Sequence, residues 1–217
     1  MPHIFEIPDP FGPEVGMRRP IARLPEGPCR SLTLLIAGVL CARKGIREVV
    51  RALVYGPDEV RQRVILVVIG EMDRRDSGYV SENLRQLEES GGNVVDDIRL
   101  ITANGLDAYI QRSDAVLTGC CGLKESSEIL IRAAHLGRPV ISTHEGLVGY
   151  LVRKHGLGEA LDVGDPQAFA ACIQRFLSNG RLSAFDPAAA RQFADRSNPE
   201  LVGHNLFLLR PDRAIAG

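Results

Sequence analysis

The stretch 119–142, GCCGLKESSEILIRAAHLGRPVIS, constrains the fold of this chain more than any other. It follows a short apolar run, 115–117, and begins with a polar loop of charged and hydroxyl residues. Apolar residues then recur at helical spacing until Gly137, which favours a helix end because glycine readily adopts the left-handed conformation. A short apolar strand is predicted at 140–142. The stretch therefore predicts a βαβ unit whose polar loop lies at the carboxyl edge of a sheet, where ligands bind in open α/β folds.

The remainder of the chain repeats this alternation of buried strands and amphipathic helices. The apolar pattern predicts strands at 32–37, 64–69, 98–101, 115–117, 140–142 and 159–163. It predicts helices at 46–54, 79–89, 106–111, 129–136, 147–155 and 166–177, a turn at Asn104-Gly105, and helix starts at Asp186-Pro187 and Asn198-Pro199. Because the connections are short, the alternation favours a doubly wound, Rossmann-like fold: a mostly parallel six-stranded sheet with helices on both faces.

The distribution of proline suggests how the chain is divided. Residues 1–30 contain seven prolines, each of which fixes φ and removes a backbone donor. This segment is therefore predicted to be an extended leader or an interdomain linker. We expect a single Rossmann-like domain over residues 31–180, followed by C-terminal helices over residues 181–217.

Composition argues against several functional classes. The net charge is −1, and basic residues are scattered among acidic ones, so no strong field would attract nucleic acid. The longest apolar run, 32–40, is much shorter than the roughly 20 residues that span a bilayer, and the first residues lack a signal-peptide pattern. The five cysteines have no metal-binding spacing and are interpreted as reduced thiols. We expect a cytoplasmic protein without a transmembrane segment.

The loops at the carboxyl ends of the predicted strands are candidate binding elements. The first of them, 38–45, suits phosphate: Gly38 and Gly45 allow close backbone approach, the following helix offers free amides, and Lys44 adds a point charge. The loop fits neither the dinucleotide fingerprint nor the P-loop. The alternative is therefore that Arg43 and Lys44 form only a solvated helix start.

The loop 118–128 is a second candidate. Ser126 and Ser127 stand where helix-capping residues occur, and Lys124 lies close by in the sequence. Two hydroxyls and a lysine at a helix N-terminus also suit an anion or a sugar hydroxyl. Glu125 and Glu128 either interact with the helix dipole or accept hydrogen bonds from ribose or sugar hydroxyls.

The loops and strands also share an ordered set of motifs with one enzyme family. In chain order the matching elements are Gly38 with Lys44-Gly45, the glycine-ending strand 67–70, Tyr109 with Ser113-Asp114, Glu125, Ala133-Ala134 with 137–141, and Gly146. Pro8-Asp9-Pro10 resembles the family's interdomain linker. As a set, these elements resemble the carboxyl-terminal, donor-binding domain of a GT-B glycosyltransferase, of the group that contains family four.

The resemblance implies a nucleotide-diphosphate sugar as substrate, without a cofactor or a metal ion. Residues implied in diphosphate and donor binding are Gly38, Lys44, Gly45, Gly70 and Glu71. Ile101 and Thr102 would face the base, and the sugar, ribose or phosphate would contact Lys124, Glu125, Ser126, Ser127 and Glu128. Lys44 and Glu125 would be catalytic, because such enzymes stabilise the charge that develops on the leaving phosphate.

Two positions depart from the family pattern. The family has an arginine early in the first loop where this chain has Val39, and an acidic residue at the position of Arg132. At 217 residues, the chain is expected to lack the family's amino-terminal, acceptor-binding domain. We therefore expect an acceptor-domain partner chain or self-association, through exposed apolar residues at the strand ends: Leu40, Met72, Leu106 and Leu123.

Three functions follow from these patterns. The first is the donor-binding half of a glycosyltransferase, with an unknown acceptor and a missing or separate acceptor domain. The second is a catalytically inactive nucleotide-sugar-binding or protein-interaction module on the same fold. The third is an unrelated α/β nucleotide-binding protein. The presence of Lys44 favours the first, whereas Val39 and Arg132 favour the second.

Overall fold

The fold is seen in a computed structural model, which describes residues 31–118 and 128–197. A six-stranded parallel sheet lies at its centre, with the strand order β3-β2-β1-β4-β5-β6. The strands are β1 Leu32–Ala37, β2 Val64–Ile69, β3 Asn93–Asp97, β4 Ala115–Thr118, β5 Val140–Thr143 and β6 Gly158–Leu161. This order confirms the predicted doubly wound, Rossmann-like sheet, whose topology reverses between β1 and β4.

Helices connect the strands. Within the described residues they are α1 Ile46–Tyr55, α2 Asp58–Arg63, α3 Ser77–Glu89, α4 Ala103–Arg112, α5 Glu128–His135, α6 Gly146–Lys154, α7 Pro166–Asn179 and α8 Pro187–Asp195, with a short 3-10 turn at Ala42–Lys44. Asp165 and Asp186 cap α7 and α8, each followed by proline in the first turn, as the sequence predicts. The predicted helix start at Asn198-Pro199 lies outside the described residues.

The sheet separates two apolar cores. Side chains alternate along β1, so Leu34 and Ile36 pack against α1, α3 and α7 on one face. Leu35 and Ala37 pack on the other face against α4, α5, α6 and α8. Because both faces are covered, the central strands are continuous apolar runs.

Some predicted elements are wrong. The third strand is Asn93–Asp97, not 98–101, because β3 pairs with β2 from Ile65↔Asn93 to Ile69↔Asp97. The predicted turn at Asn104-Gly105 lies inside α4, whose amino end is capped by Thr102. The helix α2 was not predicted, and β6 ends at Leu161 instead of 163.

Candidate functional site

The loops that follow β1 and β2 are joined at the carboxyl edge of the sheet. The amide of Gly38 donates to the Ile69 carbonyl at 3.1 Å, and the amide of Leu40 donates to the Glu71 carbonyl at 2.7 Å. The parallel ladder of the two strands thus continues into their loops. It also turns the Leu40 side chain inward, where it is fully buried, so the prediction that Leu40 is exposed is wrong. Met72 and Leu106 are half-buried, and Leu123 lies outside the described residues.

Two glycines allow the loops to approach this closely. Gly38 and Gly70 have φ angles of 109° and 124°, in the region that side chains rarely adopt. A Cβ atom on Gly70 would overlap with the carbonyl oxygen of Gly38. Glycine at position 70 therefore permits a backbone-to-backbone contact that forms the floor of the site.

A pocket of about 160 Å³ opens above this floor. Its lining consists of Gly38, Val39, Ile69, Gly70, Glu71, Leu100, Ile101 and Leu106. Four of the predicted donor-binding residues, Gly38, Gly70, Glu71 and Ile101, thus lie together. The side chains of Val39 and Leu100 are 55% and 70% exposed, so this pocket presents apolar side chains to solvent.

Lys44 reaches back over the first loop. The chain turns through Ala42–Lys44 and then Gly45, which has a left-handed φ of 71° and begins α1. The Lys44 Nζ atom lies 3.0 Å from the point where a Gly38 side chain would begin, so glycine leaves room for the ammonium group. Within residues 31–118 and 128–197, this ammonium group forms no hydrogen bond and no ion pair. Lys44 is half-buried, and in the part of the chain that the structure describes it has no partner, so it can bind an anion beside the pocket.

An acidic side chain that sequence reasoning missed also fixes the first loop. The Asp76 carboxylate, just before α3, accepts a hydrogen bond from the Ala42 amide at 2.8 Å. The Ala42 amide, inside the loop 38–45, is therefore already bound by a side chain of the protein. Asp76 lies 34 positions from Ala42, and no local motif indicates the contact.

The segment between β3 and α4 forms one wall of the pocket. The last residue of β3, Asp97, accepts hydrogen bonds from the buried Tyr109 hydroxyl at 2.7 Å and from Arg99 Nε at 2.6 Å. The Arg99 guanidinium holds the pKa of Asp97 below its usual range; burial opposes this effect and the Tyr109 hydroxyl adds to it. Ile101 lines the pocket, while the Thr102 hydroxyl accepts from the Gly105 amide at 3.3 Å as a helix cap. The wall is thus held by charge-assisted contacts.

Arg132, at the position where the family has an acid, is engaged inside the protein. It lies in α5 with its side chain 6% exposed, and it pairs with Asp107 of α4 at 2.8 Å. It also pairs with Glu128 at 2.7 Å, so that predicted donor-binding carboxylate already has a cationic partner while remaining 65% exposed. Burial lowers the pKa of Arg132, but the hydrogen bonds to both carboxylates outweigh burial and raise it above its usual value.

The remaining predicted site residues, Lys124, Glu125, Ser126 and Ser127, lie outside the described residues. In the described part of the chain, no group of three or more His, Cys, Asp or Glu side chains is arranged to hold a metal ion. None of the helices in that part is both long and apolar enough to cross a bilayer. The site that can be described is therefore a small apolar pocket with one lysine beside it.

Comparison with known proteins identifies a family. The sequence model of the glycosyl transferases group 1 matches residues 31–179, which is more than half of the chain. This match confirms the resemblance found in the motifs. No curated protein matches the sequence significantly.

Solved structures share the fold. HepE from Anabaena, in complex with UDP and glucose, matches with a TM-score of 0.69 and 19% identity over 82% of this chain and 47% of that one. Sucrose-phosphate synthase from Thermosynechococcus elongatus matches with a TM-score of 0.64 and 22% identity, over 86% of this chain and 46% of the synthase. The chain thus spans just under half the length of these two proteins. The C-terminal domain of the glycosyl transferase group 1 family protein LpcC from Francisella tularensis matches with a TM-score of 0.56 and 17% identity, over 81% of this chain and 86% of that domain.

Proposed function

This chain belongs to the glycosyl transferases group 1, and we propose that its residues 31–180 are the donor-binding half of such an enzyme. The proposed substrate is a nucleotide-diphosphate sugar, and the acceptor would bind to a separate domain or chain. The single observation that carries the proposal is the Lys44 ammonium beside Gly38, without a protein partner among the described residues and next to a pocket at the carboxyl edge of the sheet. HepE was solved with UDP-glucose, so uridine nucleotides are the first ligands to test.

The proposed chemistry is electrostatic. Lys44 would neutralise the charge that develops on the diphosphate while the bond to the sugar breaks. Because Lys44 supplies positive charge, the proposal includes no metal ion and no cofactor. Glu125 is retained in this proposal as the second catalytic residue, with Lys124, Ser126 and Ser127 contacting sugar, ribose or phosphate.

The second candidate is an inactive nucleotide-sugar-binding or protein-interaction module. Val39 favours it, because the side chain is exposed at the pocket and has no charge to attract a diphosphate. Arg132 adds no cation to such a site, since Asp107 and Glu128 already neutralise it. Nucleotide binding separates the proposed donor half from an interaction module.

We expect one nucleoside diphosphate, among UDP, GDP and ADP, to raise the temperature at which this protein unfolds. A ligand at 100 times its Kd stabilises the folded state by about 2.7 kcal/mol. Lys44→Ala is expected to weaken that nucleotide's binding about ten- to a hundredfold, because hydrogen bonds to charged groups contribute about 1.5–3 kcal/mol. Isothermal titration calorimetry measures both affinities.

Arg43→Ala is the matched control, because Arg43 is an exposed basic residue in the same 3-10 turn. It should bind the nucleotide within about threefold of the original protein, since an exposed charge contributes little. Equal losses in the two variants would show a general charge effect and contradict the role of Lys44. If no nucleotide binds a cooperatively folded chain, the donor-binding proposal fails and the interaction module is favoured.

We also propose association with an acceptor-binding chain or with a second copy of this chain. The support is α6, which follows β5 at the carboxyl edge and leaves Leu147 and Tyr150 37% and 50% exposed. We expect sedimentation to show a species larger than the monomer, and the double change Leu147→Asp/Tyr150→Asp to reduce it. A monomer at every concentration, with no captured partner, would contradict this proposal.

A further inference from the structure

The outer side of α1 carries an ordered row of exposed side chains. Arg47, Arg51 and Tyr55 follow one another at intervals of four residues, so they lie on the same side of the helix. All three are exposed, and the Tyr55 side chain, at the end of the helix, is 65% exposed. Arg43, in the 3-10 turn that leads into α1, is exposed as well. The helix thus presents positive charge followed by one aromatic ring.

The guanidinium groups on this side of the protein are unpaired. Within residues 31–118 and 128–197, Arg43, Arg47 and Arg51 form no ion pair and no side-chain hydrogen bond. The arginines of the neighbouring helices α2 and α3 are instead paired with carboxylates of their own helix. Glu48, the acidic residue of α1, is half-buried, and one of its carboxylate oxygens is enclosed by the protein. The three arginines therefore remain available to an anionic partner.

A groove lies at the far end of α1. Tyr55, Gly56 and Pro57 form one side of it, and the first turns of α7 form the other. Its volume is about 440 Å³, whereas the pocket beside Lys44 has about 160 Å³. The lining that the structure describes consists of tyrosine, glycine, proline, alanine and glutamine. A concave, uncharged surface beside an aromatic ring suits an apolar side chain.

The spacing of the row matches the spacing of an extended peptide. Residues four positions apart in an α-helix are separated by about 6 Å along its axis, because each residue adds about 1.5 Å. Alternate residues of an extended chain are separated by about 6.6 Å and point to the same side. A peptide along α1 can therefore place carboxylates at Arg47 and Arg51, two residues apart, and an apolar side chain two residues later at Tyr55.

We propose that α1 binds an extended acidic segment of a partner protein. Carboxylates at alternate positions of this segment face Arg43, Arg47 and Arg51, and an apolar side chain enters the groove beside Tyr55. The charges nearby favour a narrow ligand over an anionic membrane. Helix α3 packs beside α1 and exposes glutamates at positions 82, 88 and 89, which a flat anionic surface would meet and a single strand would not.

The test uses a fluorescein-labelled synthetic peptide with glutamate at three alternate positions and phenylalanine two positions after the last glutamate. Fluorescence anisotropy measures its affinity for the full 217-residue protein. Arg47→Glu and Arg51→Glu are each expected to weaken binding about five- to tenfold, because each replaces an attraction at an exposed site by a repulsion of similar size. Higher salt should also weaken binding, because the Debye length falls from about 10 Å at 0.1 M to about 3 Å at 1 M.

The apolar end and the spacing are tested separately. Tyr55→Ala is expected to weaken the phenylalanine peptide about three- to tenfold, but to leave a peptide with serine at that position unchanged. A peptide of the same composition with its three glutamates adjacent should bind more weakly than the alternating one, because adjacent side chains of an extended chain point to opposite sides. Equal affinity of these two peptides would contradict the proposed extended pairing with α1.

Arg112→Glu is the control for net charge. Arg112 is an exposed arginine at the end of α4, which packs on the opposite face of the sheet, so its reversal should leave peptide affinity unchanged. Equal losses in Arg112→Glu and Arg47→Glu would show a general charge effect and overturn the proposal. So would binding to phosphatidylglycerol vesicles without binding to the peptide, or no binding to either. None of these outcomes bears on the proposed donor site, because nucleotide affinity is measured independently.

The substituted side chains are exposed, so loss of structure is not expected to interfere with this test. Circular dichroism and thermal unfolding of Arg47→Glu, Arg51→Glu and Tyr55→Ala should match those of the original protein. A loss of peptide binding in variants that remain folded would then be due to the row itself.

Discussion

Gly70→Ala is expected to lower the free energy of unfolding by about 3 kcal/mol or more and to abolish nucleotide binding. Gly70 has a φ of 124°, which is strained for any residue with a side chain. The new Cβ atom would also overlap with the backbone carbonyl of Gly38, so the two loops would have to separate. Since these loops form the floor of the pocket, the change affects stability and the site together. Urea denaturation and calorimetry measure the two effects.

Gly78→Ala is the matched control for this change. Gly78 lies in the first turn of α3, and within 4 Å a Cβ atom there would meet nothing beyond its chain neighbours and its own helix backbone. Alanine is the better helix former, so this variant should be unchanged or more stable by up to about 1 kcal/mol, with nucleotide affinity preserved. A Gly70→Ala protein as stable as Gly78→Ala would show that the close approach of the two loops is not required.

The sequence predicted the central part of the sheet well and its edge poorly. Strands β1 and β2 are continuous apolar runs because both faces are covered, and such runs are recognised without knowledge of the neighbours. Strand β3 lies at the sheet edge with partly exposed residues, so its pattern is weak. Segment 98–101 is more apolar than Asn93–Asp97, so the sequence pattern placed the strand there. In the structure, the pairing with β2 ends at Asp97.

The same limit applies to the candidate site. The position of Gly38, Lys44 and Gly70 at one edge of the sheet could be predicted, because each stands in a loop after a strand and parallel strands place those loops together. The contacts that shape the pocket are non-local. Asp76 holds the Ala42 amide from 34 positions away, and Tyr109 holds the carboxylate of Asp97 across a loop. Such pairings depend on the packed fold, and no local spacing encodes them.

Arg132→Met is expected to lower the free energy of unfolding by about 3–5 kcal/mol, because removal of one member of a buried ion pair leaves the other charge unpaired. The unpaired charge here is Asp107, whose side chain is 20% exposed and pairs with Arg132 at 2.8 Å. Glu128 adds little to this loss, since it is 65% exposed and water can solvate its carboxylate. Urea denaturation measures the change.

Arg191→Met is the control for loss of a helical arginine. Arg191 pairs with Asp195 in α8, both side chains are about 60% exposed, and the cost should stay within about 0.5 kcal/mol. The double change Arg132→Met/Asp107→Leu removes both members of the buried pair and should recover most of the lost stability, because apolar residues of similar volume can replace such a pair. A double variant as unstable as Arg132→Met alone would show that packing of the long Arg132 side chain, and not its charge, joins α4 to α5.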